Sequence, residues 1–251
     1  DGGIDVARGA ATSLVLLSTL LDGSPLYYRV AAVNAGGESP LSAVVATRKS
    51  PTGKASVLLV NGFDRFERKQ NFRQTVDIVD TSITNNVDPA TIDRVRPDYN
   101  NAFDYIVRAG EAISAYAAQS IGFDTVDFKL IGTAAVDLSK YQAVIWMAGE
   151  NSTVNRTFTA TQQSAVSTFV SSGGKLFVSG SEIGWDLVAS GNGSSFFTGT
   201  LKSAYVSDDA GTYSAVGNAG SIFAGIGVTF SDGSDRINYD ADFPDVLGVS
   251  N

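Results

Sequence analysis

Ala55-Ser56-Val57-Leu58-Leu59-Val60-Asn61 is an apolar run that ends on a polar residue. An unbroken run of this length fits a parallel strand covered on both faces, because a half-exposed strand alternates apolar with polar. Ala143 to Gly149 (AVIWMAG) repeats the pattern, and Lys175 to Gly180 (KLFVSG) reads as the next strand. Thr125 to Ile131 reads as a further strand. Helical spacing lies between them. Over 98–121, Ala102, Phe103, Tyr105, Ile106, Ala109, Ile113 and Tyr116 recur on one face. Thr159 to Ser172 is a second helix, stopped by Gly173-Gly174. Strands alternating with helices predict a doubly wound α/β domain built on a parallel sheet.

Outward from this core the character changes. Upstream, Ser13 to Leu17, Leu26 to Asn34 and Ser42 to Thr47 read as strands, separated by turns at Asp22-Gly23-Ser24-Pro25 and Ala35 to Pro40. Lys49 to Lys54 reads as a linker. Downstream of about 192 the chain reverts to short β segments rich in Gly, Ser and Asp. Gly62 to Pro97 reads as a long polar loop, and long loops in compact domains are often functional. The expected organisation is a β module over 1–48, a linker over 49–54, and an α/β domain over 55–251 with a β-rich extension.

Composition narrows the chemistry. The 251 residues contain no histidine and no cysteine. Serine–histidine and cysteine–histidine nucleophile pairs, imidazole or thiolate metal sites and disulfides are therefore excluded. The formal net charge of −8 argues against nucleic-acid binding, which needs clustered cations. No apolar run reaches membrane-spanning length. Low charge with abundant Gly, Ser and Thr fits a secreted or cell-surface protein. The start at Asp1-Gly2-Gly3 reads as a piece of a longer precursor. No cofactor and no metal are expected. Asp232, Asp235, Asp240, Asp242 and Asp245 do not follow the spacing of a calcium-binding loop and read as a solvated acidic turn.

In open parallel sheets, ligands sit at the carboxyl ends of the strands near the topological switch point. Three polar segments are expected there: Asn61-Gly62-Phe63-Asp64-Arg65, Gly149-Glu150-Asn151-Ser152-Thr153, and Ser179-Gly180-Ser181-Glu182 through Asp186. They nominate Glu150, Glu182 and Asp186 as acid–base candidates. Asp64, Arg65, Asn151, Ser181 and Trp185 are the ligand-binding candidates. Paired carboxylates suit glycan hydrolysis, in which one donates a proton and the other attacks or activates water. Trp185, with Phe63 or Tyr205, could stack on a sugar ring. The competing readings are structural. Carboxylates at these positions cap loops and helix starts, and Ser-Gly-Ser makes a tight turn.

Tyr28-Arg29-Val30-Ala31-Ala32-Val33-Asn34-Ala35-Gly36-Gly37-Glu38-Ser39 resembles the penultimate strand and following turn of a fibronectin type III domain. Leu26 stands where that family usually has the tyrosine of its tyrosine corner. The resemblance implies a partial fibronectin type III-like β-sandwich, which must dock on something or recruit its missing strands. Thr159 to Ser181 resembles the nucleophile-elbow region of class I glutamine amidotransferase-like, flavodoxin-like domains. Those enzymes place cysteine at the elbow with a histidine partner, so their chemistry does not carry over.

Val60-Asn61-Gly62-Phe63-Asp64-Arg65, Asn101 to Tyr105, Gly149 to Thr153 and Gly180 to Leu187 are similar to a domain found beside fibronectin type III modules in large secreted bacterial proteins. Such proteins carry the labels xanthan lyase or N-acetylmuramoyl-alanine amidase. The resemblance spans residues 55–251. It implies a flavodoxin-like fold and a secreted accessory module that binds extracellular polysaccharide or cell-wall polymer, partnered by other domains of the same precursor. The alternatives are a histidine-free hydrolase using paired carboxylates and a structural surface module without a ligand.

Overall fold

The computed structural model describes residues 23–39, 41–50, 55–63, 72–80, 86–94, 105–117, 121–230, 241 and 243–250. A six-stranded mixed sheet forms the centre. It contains β1 (Pro25–Tyr28), β4 (Val45–Arg48), β5 (Ala55–Asn61), β8 (Gly122–Asp127), β9 (Ala143–Gly149) and β10 (Lys175–Gly180). Their spatial order is β1-β4-β8-β5-β9-β10. The neighbours β8, β5, β9 and β10 run parallel, whereas β4 and β1 attach antiparallel beyond β8. Counted along the chain, the parallel strands therefore lie in the order second, first, third, fourth.

The apolar run at β5 does not alternate because both of its faces are covered. Leu58 and Val60 share one layer with Val144, Trp146, Ala148, Phe158, Phe196 and Phe197. Helix α2 (Ala160–Ser171) packs Val166 and Phe169 into this layer. Trp146 lies 4.4 Å from Phe158, and Phe158 lies 5.1 Å from Phe196, centroid to centroid. Leu59 faces the other way. It meets Val44, Ala46, Phe123 and Ile106, with Val107, Ala109 and Ile113 of α1 (Tyr105–Ala117) alongside. Burying side chains of this size stabilises by roughly 1.5–3 kcal/mol each. The arrangement is an α/β fold with helices on both faces of the sheet.

Local signals set the element ends. Thr159 caps α2 with a reciprocal pair of bonds. Gln162 N–H donates to Thr159 Oγ1 at 3.4 Å, and Thr159 N–H donates to Gln162 Oε1 at 2.8 Å. The same glutamine donates from Nε2 to the Phe128 carbonyl at 2.7 Å, which ties the helix to the loop after β8. The strand expected over Thr125–Ile131 starts earlier and stops at Asp127. There the carboxylate accepts Lys129 N–H at 2.8 Å and tips the chain into a 3₁₀ turn, Phe128–Leu130.

The N-terminal segment is part of the sheet. Between β1 and β4 lies a small ribbon of β2 (Val33–Asn34) and β3 (Gly37–Glu38). Thr47 and Arg48 of β4 pair with Asp124 and Phe123 of β8. Side chains close the same seam: Thr47 Oγ1 donates to Asp124 Oδ1 at 2.7 Å, and Tyr141 donates its hydroxyl to Asp124 Oδ2 at 3.0 Å. Burial and the Asp124 charge push the Tyr141 phenol well above its ordinary range. Arg48 is buried and donates to the carbonyls of Gly23 and Ile121, at 2.9 and 3.2 Å. The segment expected as a partial sandwich contributes β1 and β4 to the edge of the central sheet, and the boundary expected at 49–54 falls between two strands of that sheet. The strand expected at Ser13–Leu17 lies outside the described residues.

The stretch read as a long loop contains a two-stranded ribbon, β6 (Phe72–Asp80) against β7 (Asn86–Arg94), with Thr75 opposite Thr91. Asp77, Asp80, Asp88 and Pro89 all disfavour strands, and they hid it. The C-terminal extension holds a short helix, α3 (Ser194–Gly199), followed by β11 (Ser203–Asp209), β12 (Ser214–Val216), β13 (Gly227–Thr229) and β14 (Asp245–Val249). β11 pairs with β14 and β12 with β13, both antiparallel.

Candidate functional site

The ends of β5, β9 and β10 lie along one rim of the parallel sheet. The connections diverge between β5 and β9, which makes this the switch point. Here the backbones approach closely: Gly62 N–H donates to the Met147 carbonyl at 2.7 Å. Gly149 adopts φ +59, and a Cβ placed on it would sit 2.5 Å from the Phe63 ring. Phe63 in turn stacks on Tyr105 at 4.3 Å between centroids, with 21° between the planes. An aromatic ring of the chain itself therefore lies over the crevice that many α/β folds leave for a ligand. Glu150 and Asn151, which follow Gly149, are each only 1% exposed. Among the described residues, the Asn151 carboxamide makes no hydrogen bond. Asp64 and Arg65 lie outside the described residues.

The open part of the rim is displaced toward β10. After Gly180 the chain turns through Ser181 and Glu182 into a helical segment that widens into a π-helical turn, Trp185–Ala189. Ser190 N–H donates back to the Trp185 carbonyl at 2.9 Å, closing that wide turn. Ser181 is buried, and its N–H donates to the Gly149 carbonyl at 3.1 Å, so it joins the two strand ends. Glu182 is half-buried and accepts the Ser152 hydroxyl at 2.8 Å. Trp185 is 37% exposed.

Asp186 does not share this open face. Its carboxylate is fully buried and ringed by donors: Thr157 N–H at 2.8 Å, Thr157 Oγ1 at 2.7 Å and Asn192 Nδ2 at 2.7 Å. Arg156 adds a longer charge contact at 3.4 Å. A carboxylate so fully engaged is an anchor for the 152–157 loop. Asn192, in an Asn-Gly-Ser sequon, spends its amide on this anchor. Asn151, in another sequon, is buried. Neither presents an amide for glycan attachment.

The structure adds a residue that the sequence placed in a solvated turn. Asp245 opens β14 and crosses to the rim. Its Oδ2 accepts Gly184 N–H at 2.6 Å and Trp185 N–H at 3.2 Å, and its own N–H donates to the Ser181 carbonyl at 2.8 Å. Its Oδ1 is buried and has no hydrogen-bond partner among the described residues. Burial pushes the Asp245 carboxyl up to about 6. The two backbone N–H donors oppose that rise, and the charges of Glu182 and Asp208 add to it. Tyr205 of β11 packs against Gly184, and its phenol is also raised, by burial and by the charges of Asp208, Asp245 and Glu182. No local motif marks Asp245, since its contacts lie 61 and 60 residues away.

The rim therefore combines Glu182, Asp245 and Ser152 with an exposed indole and a tyrosine. Such a set can hydrogen-bond a polyhydroxylated ligand and stack on its apolar face, and burial raises one of its carboxyls to about 6. Among the described residues no cluster of acidic side chains is arranged to hold a metal ion, and no helix is long and apolar enough to cross a membrane. Comparison with known proteins finds no matching family model, no matching curated protein and no matching solved structure.

Proposed function

We propose that this chain is a secreted accessory module of a polysaccharide- or cell-wall-processing protein, and that it binds glycan at the rim beyond β10. The carrying observation is Trp185, exposed on a π-helical turn with its backbone N–H donating to Asp245 and with Glu182 three residues before it. Aromatic faces beside carboxylates and hydroxyls suit sugar rings, which have apolar faces and polar edges. The strand order second, first, third, fourth supports a flavodoxin-like reading of the parallel core. The edge strands β1 and β4 with their intervening turn support reading 1–48 as the end of a fibronectin type III module. Extracellular polysaccharide or cell-wall polymer, and further domains of one precursor, are the partners this reading supplies.

The test is retention of the intact chain on a panel of immobilised glycans and cell-wall polymers. Trp185→Ala should lose most of the retention while keeping the wild-type circular dichroism and melting temperature. Retention by Trp185→Ala equal to wild type would remove the rim from consideration.

A second reading, carboxylate-based glycan hydrolysis, is favoured by one observation. Asp245 holds a proton to about pH 6 near Glu182, the division of roles that acid–base catalysis requires. The acid–base pair then becomes Glu182 with Asp245, because Glu150 and Asp186 are buried. Under this reading Glu182→Gln abolishes product release and spares retention. A chain that neither retains nor cleaves any polymer would be a structural surface module.

A further inference from the structure

The C-terminal strand meets the rim through one side chain. Asp245 donates its N–H to the Ser181 carbonyl and accepts two N–H groups from the first turn of the rim helix. Around this joint the strand is weakly held. The β11–β14 ladder shifts register twice, between Tyr205 and Ser207 and between Ser207 and Asp209. Val249 and Leu247 of β14 are exposed. Tyr205 and Leu247 pack on Gly184, where a side chain would collide with the Tyr205 ring at 2.7 Å. Trp185 follows directly, so whatever moves the joint moves the indole.

Among the described residues, the charged groups bearing on the joint have one sign. Glu182 approaches from the turn after β10 and Asp208 from β11. Asp209 sits opposite Asp245 in the ladder, its carboxylate accepting Gly211 N–H at 2.8 Å. Asp186, on the rim helix, is spent in its own buried network. Tyr205 supplies a neutral phenol. No cation among the described residues bears on Asp245, and its Oδ1 is buried without a partner. Ionising Asp245 in place puts a third charge beside two carboxylates and leaves a buried anionic oxygen unsatisfied.

We propose that β14 is a proton-operated latch on the rim: protonated Asp245 clamps the turn that carries Trp185, and ionised Asp245 releases it. Closed and released forms differ in the solvation of one carboxyl, so each proton bound favours closure. The upward shift of the Asp245 carboxyl from 3.8 to about 6 agrees in direction. It bounds the swing in the closed-to-released ratio at about a hundredfold, and less once solvent screening of a half-buried group is counted. The latch does not depend on what the rim binds.

The test reads local opening in the intact chain. Hydrogen-exchange protection factors at Gly184 and Trp185, and acrylamide quenching of tryptophan, are followed from pH 4.5 to 8. Trp146, the other tryptophan, is fully buried and contributes little quenching. Protection should fall and quenching rise with a midpoint near pH 6. Asp208→Asn removes a charge that raises the Asp245 carboxyl, so it should move the midpoint to lower pH and shrink the change in protection, leaving the acidic arm intact. Asp245→Asn should flatten both profiles. Should Asp245→Asn fail to fold, the Asp208→Asn profile still decides. A flat wild-type profile, or one that Asp208→Asn leaves unmoved, would overturn the latch.

Discussion

Thr157 grips Asp186 twice, through its backbone N–H at 2.8 Å and its hydroxyl at 2.7 Å, onto the same carboxylate oxygen. The pair is fully buried and fixes the loop after β9 against the rim helix. Removing one member of such a network strands the others. Asp186→Ala should cost about 3–5 kcal/mol, because Arg156, Asn192 and Thr157 lose their common acceptor. Thr157→Ala leaves the charge partly satisfied and should cost about 1–3 kcal/mol. Denaturant titration checks both, and a smaller loss for Asp186→Ala than for Thr157→Ala would contradict the anchor.

Gly149 tests the covered switch point. Its φ of +59 and the Phe63 ring 2.5 Å from any added Cβ act against a side chain together. Gly149→Ala should destabilise by about 1–3 kcal/mol. Phe63→Ala in the same chain should relieve the steric part and leave the backbone part. A double-mutant cycle separates them, and strict additivity would show that Phe63 does not sit on Gly149 in solution.

Thr159 offers a control remote from the rim. Loss of the capping box in Thr159→Ala should cost about 1 kcal/mol without altering glycan retention. Thermal melts and the same binding panel check it together.

The pH dependence of global stability carries a definite sign. Asp245 titrates higher folded than unfolded, so its contribution is fully present below 3.8 and is lost as pH rises through about 6. Asp137 acts oppositely, since its hydrogen bonds with Ser139 lower its carboxyl, but its effect falls below the ordinary 3.8 and outside this window. The protein should therefore melt at a higher temperature at pH 5 than at pH 7.5. The difference should shrink in Asp245→Asn. Equal pH slopes in the two proteins would contradict the assignment.

The parts of this architecture that were legible in the sequence are those built from local pattern. β9 lies where its apolar run is, because a central strand covered by neighbours on both sides needs uninterrupted apolar residues, and β10 lies where KLFVSG predicts a strand, although as the edge strand it leaves Phe177 exposed. α2 begins after its capping threonine for the same local reason. Glu182 and Trp185 could be placed on the rim from the strand-end rule alone. Asp186 could not be placed, since the wide turn at Trp185–Ala189 rotates it into the protein and nothing in WDLVA announces a π-helical turn. Asp245 was out of reach because its contacts with Gly184 and Trp185 span some sixty positions. The β6–β7 ribbon was masked by aspartates and a proline that a two-stranded ribbon tolerates.

The seam between β4 and β8 changes what the short segment at 49–54 can be. A linker in a modular surface protein ordinarily lets neighbouring modules swing like beads on a string. Here the residues on its two sides are strands of the same sheet, and Arg48 is buried with its guanidinium bonded to a carbonyl from beyond the linker. The strands on its two sides, β4 and β5, are both paired to β8, so the sheet ties them together. A fragment cut at Ala55 would lose β4 and expose the flank of β8 to pairing with other chains.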